Sequence, residues 1–169
     1  MKKTAATILL LCLLATGLIV LSACNDEGAK DMTAELNAEF YDWATGYMDE
    51  GYLLSQPSTE YLGDETTIVV TGSEMFSEIF KEFPQEVDFS REILVVYLFN
   101  DIYNGFECRL TGITLQDGVL VVSVLHTLAP KTQDGLRPPS TSQPTQRAAV
   151  IKLDKGDFSQ VTVEMTYEE

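Results

Sequence analysis

Thiols, imidazoles and positive charge are all scarce in this chain. Of 169 residues, three are cysteine and one is histidine, and 11 basic residues face 26 acidic ones. Cys12 and Cys24 fall in an N-terminal stretch that reads as a targeting segment, leaving Cys108 as the one thiol of the domain. No intramolecular disulfide is then available, and stability must come from a hydrophobic core. With a single histidine, every imidazole-dependent reaction must pass through His126, and no serine or cysteine motif points to it. Zinc-type cysteine and histidine spacings, glycine-rich phosphate loops and nucleophile elbows are missing too. Two of the basic residues, Lys2 and Lys3, precede the domain, so the remainder carries a charge of about −17. That balance argues against nucleic acid and against charge-driven adhesion to anionic headgroups. It reads as solubility and mutual repulsion rather than as an acid-lined cation site.

What is present begins at the front. Met1-Lys2-Lys3 is a short basic region, Thr4 to Val20 an apolar one, and Leu21-Ser22-Ala23-Cys24 closes it. This resembles the lipobox of bacterial lipoproteins. The resemblance implies cleavage before Cys24 and a diacylglyceryl group on its sulfur. Residues 1–23 would then be a signal peptide and 24–30 a polar tether. Two or more acyl chains, at about 0.8 kcal/mol per buried CH₂, hold a domain durably at a bilayer. The expected address is the extracytoplasmic face of the cell membrane, with palmitate on the protein.

Further along, Met32, Leu36, Phe40, Trp43 and Tyr47 recur at spacings of three and four. That predicts an amphipathic helix starting near Asp31 or Thr33, within a helical or irregular segment over 31–64; a short strand between Trp43 and Leu54 is the alternative. Thr66 to Thr71 is a strand by composition. Thr71 and Glu74 offer a capping box for a helix whose apolar stripe is Met75, Phe76, Ile79, Phe80 and Phe83, stopped by Pro84. The run Glu92 to Phe99 does not alternate, which predicts a strand covered on both faces. Phe106, Cys108 and Leu110 then share a face, and the parity flips beyond Gly112, predicting a bulge there. Gln116-Asp117-Gly118 is a hairpin turn, and the return strand sets Leu120, Val122, Val124 and Leu128 on one side. Ala129 to Arg147, rich in Pro, Thr, Ser and Gln, predicts an extended surface loop. Strands follow at Ala148 to Leu153 and Val161 to Met165. The fold expected over 65–167 is mainly β (α+β), an antiparallel sheet or sandwich with one or two short helices on it.

The order of these pieces is similar to the C-terminal domain family of the protease-complex lipoprotein PrcB. The residues concerned are Val87 to Ser90, Leu94 to Phe99, Gly105-Phe106, Asp117-Gly118, Pro130 and Val150 to Leu153, covering roughly 66–155. Asn104-Gly105-Phe106 stands where that family has a Thr-Gly-Gly-Tyr-like run, and Arg147-Ala148-Ala149 where it has an aromatic–proline pair. The resemblance implies association with another extracytoplasmic protein, and the departures imply a different partner. It carries over no catalytic residue.

The functional expectation is a non-enzymatic protein-binding or scaffold role, with Cys24 as lipidation site and two loops as contacts. One loop offers Asp101, Tyr103, Asn104 and Phe106, the other Arg137 and Arg147. No cofactor and no metal is expected. A small-molecule or cation-binding lipoprotein is the alternative, since Asn100, Asp101, Asn104 and Glu107 could supply oxygen ligands. Ile102, however, occupies a ligand position of the standard calcium loop. His126, in register with Val124 and Leu128, reads as a strand-end histidine hydrogen-bonded at the sheet margin. Cys108 reads as a small buried apolar residue.

Overall fold

The computed structural model describes residues 29–42, 44–56, 65–101, 107–131, 133–135 and 145–168. Five long strands carry the fold: β4 (Glu92–Asp101), β5 (Glu107–Gln116), β6 (Val119–Thr127), β7 (Thr145–Asp154) and β8 (Gln160–Glu168). With β1 (Lys30–Asp31), β2 (Glu39–Tyr41) and β3 (Thr66–Val70) they form two four-stranded sheets. One has the order β1-β5-β6-β8 and the other β2-β7-β4-β3. The fold is mainly β, as the composition leads one to expect. Every pairing is antiparallel but one: β6 and β8 run parallel, with Leu120 opposite Val161 and Val124 opposite Met165. The chain leaves the first sheet after β6, forms β7 in the second, and returns as β8, so no hairpin constrains the pair.

Residues Ile93 to Phe99 are all buried, because β4 is covered on both faces. Ile93, Val95, Tyr97 and Phe99 enter the core between the sheets, where they meet Ile113, Leu120, Val122 and Val124. Leu94, Val96 and Leu98 face the other way, under the helical segments, against Ala44, Ile79 and Phe80. This is why the run does not alternate in sequence. At about 1.5–3 kcal/mol for each fully buried large apolar side chain, β4 is the largest single contributor to the core.

The parity flip in β5 is real. Leu110 lies opposite Val124 and Gly112 opposite Ser123, which leaves Thr111 as the extra residue. Its hydroxyl donates to the Ser123 carbonyl at 3.0 Å. The bulge is therefore at Thr111, one residue before the expected glycine. Asp117 and Gly118 both have positive φ, 51° and 77°, which suits the two-residue turn between Gln116 and Val119.

Two expectations need correction. The predicted helix near Asp31 or Thr33 does not form. Lys30–Asp31 pairs with β5, a turn follows over 33–37, and Glu39–Tyr41 pairs with β7. The segment spans both sheets, burying Met32 and Leu36 in the inter-sheet core, and Asn37 at φ 46° turns it. Backbone pairing with strand edges outweighs a weak helical propensity here. A 3-10 turn (Ala44–Tyr47) and helix α1 (Glu50–Ser55) follow instead of a strand, and Trp43 lies outside the described residues.

Helix α2 (Ser73–Ile79) is the second correction. Its N-cap is Gly72, with no side-chain cap bond, and it ends well before Pro84. Phe80 instead turns extended and bridges to Met48, with Asp49 N–H donating to the Ile79 carbonyl at 2.8 Å. Burial of Phe80 ends the helix, and Met75 is left exposed.

Among the described residues, no helix is long and apolar enough to cross a membrane.

Candidate functional site

The inward stripes of β4, β5, β6 and β7 continue past the apolar core and change character at one end. Asp101 shares parity with Phe99 on β4, Arg147 with Ala149 and Ile151 on β7, and His126 with Val124 on β6. Cys108 faces the same space from β5. The register brings these residues together, since Asp101 pairs with Thr145 and Cys108 with His126. Asp42 joins them from just beyond β2. This is also the end of the sandwich at which β4 and β6 finish and β5 and β7 begin.

Arg147 is the hub. Its side chain is 0% exposed. Nη2 donates to both oxygens of Asp42, at 2.8 and 3.0 Å, and Nη1 donates to Asp101 Oδ2 at 3.3 Å. Nη1 also lies 3.0 Å from His126 Nε2. A guanidinium can only donate, so this contact assigns Nε2 as acceptor and places the imidazole proton on Nδ1. Nδ1 is enclosed and has no hydrogen-bond partner among the described residues. Asp42 Oδ2 also accepts from the Cys108 backbone N–H at 2.8 Å, so one carboxylate ties β5 to β7. The Phe99 ring forms the floor, 5.7 Å from Arg147 Cζ and edge-on to His126 at 5.6 Å.

Burial sets the chemistry of the cluster. It lowers the His126 pKa, with Arg147 adding to the effect and Asp101 opposing it, so the ring is neutral at rest. It pushes the Cys108 thiol up to about 12. Neither is poised to react: the basic nitrogen of His126 is already engaged by Arg147, and Cys108 is far from thiolate. Cys108 in the folded protein is therefore expected to resist iodoacetamide at pH 8, where an exposed thiol reacts readily. Peptide mapping by mass spectrometry should find it labelled only after denaturation.

The sequence-derived contacts divide. Asp101 and Arg147 are not on loops. Both lie in strands and are buried, 3% and 0% exposed, so they do not offer a surface to a partner. Tyr103, Asn104, Phe106, Arg137 and the lipidation candidate Cys24 lie outside the described residues. His126 is not at the sheet margin but inside, at 1% exposure. Asp42 carried no signal in the sequence; its role follows only from the turn after β2.

Two other places bear on ligands. Lys152, at the opposite end, reaches Glu39 at 2.9 Å and Glu92 at 3.6 Å; the hydrogen bond to Glu39 holds the lysine above its ordinary value. A cleft of about 330 Å³ opens between β3 and β8, lined by Val69, Ile93, Phe158 and Val161. Its one ionisable lining residue, Lys155, donates to the Phe89 carbonyl at 2.6 Å. Among the described residues the cleft has no acidic lining of the kind a cation site would need. Among the described residues no grouping of three metal-ligating side chains occurs.

Fold and site together define a class: a two-sheet β-sandwich closed at its loop-bearing end by a buried arginine–carboxylate–histidine network. No protein-family model, curated protein or solved structure matches the chain. The likeness to the PrcB C-terminal domain thus rests on the order and spacing of elements alone.

Proposed function

We propose that this chain is a lipid-anchored extracytoplasmic binding or scaffold protein, tethered through Cys24. It captures another extracytoplasmic protein with the loop-bearing end of the sandwich. The observation that carries this reading is the position of the Arg147 network. It ties together the ends of β4 and β6 and the starts of β5 and β7, the strand ends that the two candidate contact loops join in sequence. Fixing the roots of two loops lowers the ordering cost of binding through them. The engaged imidazole and the neutral thiol favour recognition over nucleophilic or acid–base chemistry at this end.

Deletion of 136–143 spares Thr145 to Arg147 and so leaves the network intact. On intact cells, crosslinking followed by mass spectrometry is expected to identify a partner with the wild-type chain and to lose it with the deletion. In the same cells Cys24→Ser is expected to abolish palmitate labelling and release the protein from the membrane fraction. Undiminished capture by the deletion variant would remove the binding role from this end, and palmitate on Cys24→Ser would remove the anchor.

A further inference from the structure

We propose that the Arg147 network is an acid-operated latch, in which a proton on His126 releases Arg147 from Asp101 and loosens the loop-bearing end of the sandwich. The geometry leaves one place for that proton. Nδ1 already carries hydrogen, so protonation must occur at Nε2, the atom that accepts from Arg147 Nη1 at 3.0 Å. Two donors, each on a cation, then face one another at hydrogen-bond distance. The other acceptor close to Nε2 is Asp101 Oδ2, at 3.7 Å, the same oxygen that accepts from Arg147 at 3.3 Å. The imidazolium takes Asp101, and Arg147 keeps Asp42. The side-chain tie between the β4 end and the β7 start is thereby lost, and their backbone pairing alone holds them there.

Every element around the ring contributes to this balance. Asp101 on β4 and Asp42 beyond β2 favour the imidazolium, while Arg147 on β7 and burial oppose it. Cys108 on β5 is neutral throughout the acid range. Tyr167 on β8 sets its ring 5.6 Å from the imidazole. The enclosed Nδ1–H adds a second driving force, because an opened end lets water satisfy it.

The sign follows from the direction of the shift. The folded closed form binds the proton less readily than a free imidazole, whose value is about 6.5. Its advantage is complete above that pH and diminishes as the pH falls below it. For the partner, the consequence is release in acid; that part rests on the binding role proposed above.

Because His126 is the only histidine, ring ¹⁵N NMR of the full-length protein reads this residue alone. At pH 7.5 the spectrum is expected to show Nε2 unprotonated and Nδ1 protonated. As the pH falls and the imidazolium forms, backbone amide signals of Asp101, Cys108, Thr127 and Arg147 should shift and broaden, while Val122 and Val163 stay in place. His126→Gln keeps an acceptor for Arg147 but cannot take the proton, so the acid response of those four amides should vanish. An unchanged response in His126→Gln overturns the latch, as does an Nε2–H tautomer or a change that reaches all amides together. Should that variant not fold, the wild-type ring and amide titrations decide alone. Crosslinked capture at pH 7.5 and 5.5 is a separate arm: partner loss at the lower pH is the expected result. PH-independent capture with an intact amide response counts against the binding role of this end, not against the latch.

Discussion

Arg147→Met is expected to destabilise the folded chain by about 3–5 kcal/mol, the usual cost of removing one partner from a buried ion network. The replacement has similar length and fills most of the space, so the loss is electrostatic rather than a matter of volume. It leaves Asp101, whose side chain is 1% exposed, enclosed without the guanidinium that neutralises it. Asp42, 18% exposed, keeps some access to water and suffers less. At roughly 2–4 °C per kcal/mol for a chain of this size, the melting temperature should drop by about 6–20 °C. In urea at pH 7.5 the midpoint should fall with little change in slope. Asp101→Asn in the Arg147→Met background should recover part of the loss, because the enclosed charge is gone. The two substitutions made singly should therefore cost more in sum than together. A stability within 1 kcal/mol of wild type for Arg147→Met would mean that the network contributes nothing of the kind described.

The same network shows how far a sequence can be read and where reading stops. The long strands were legible because their patterns are strong: Glu92 to Phe99 lacks alternation, the return strand sets Leu120, Val122, Val124 and Leu128 on one side, and Asp117-Gly118 supplies two positive-φ positions. Even the change of face in β5 was visible before the structure placed the bulge at Thr111. The start of β7 was read three residues late, which left Arg147 one residue outside the strand. Starting β7 at Ala148 leaves the arginine on a proline-rich loop, whereas starting it at Thr145 gives Arg147 the inward parity of Ala149, Ile151 and Leu153. Extending β4 past Phe99 to Asp101 would have turned that carboxylate inward as well. Polar residues on an inward stripe were the available signal, and composition masked it. Asp42 and the pairing of Lys30 to Tyr41 had no comparable signal, because Met32, Leu36 and Phe40 suit a helix as well as a crossing between two sheets. Nor does a local pattern encode the parallel pairing of β6 with β8, which depends on where β7 lies.

Phe99 joins the apolar core to the charged end, and its removal is the second large effect. The ring is 1% exposed, stacks on Tyr97 at 5.5 Å, and meets both His126 and Arg147. Phe99→Ala is expected to cost about 3–5 kcal/mol, chiefly through lost burial and the cavity left behind. A further 0.5–2 kcal/mol or so disappears with the cation–π contact. Phe99→Leu, which keeps much of the volume, should cost roughly 1–2 kcal/mol. The two variants also differ in what they do to the imidazole. The space opened by alanine is bounded on one side by Arg147 and His126, so it is polar enough to admit water, unlike a cavity deep among Val122, Ile151 and Leu153. Water beside His126 relieves the desolvation that holds its pKa down, so the ring ¹⁵N titration of Phe99→Ala should move up toward the ordinary imidazole value. Val122→Ala empties apolar space further along β6, on the facing sheet, and should lower stability without moving that titration. A titration that responds to both variants alike would mean that burial at this end does not govern the proton on His126.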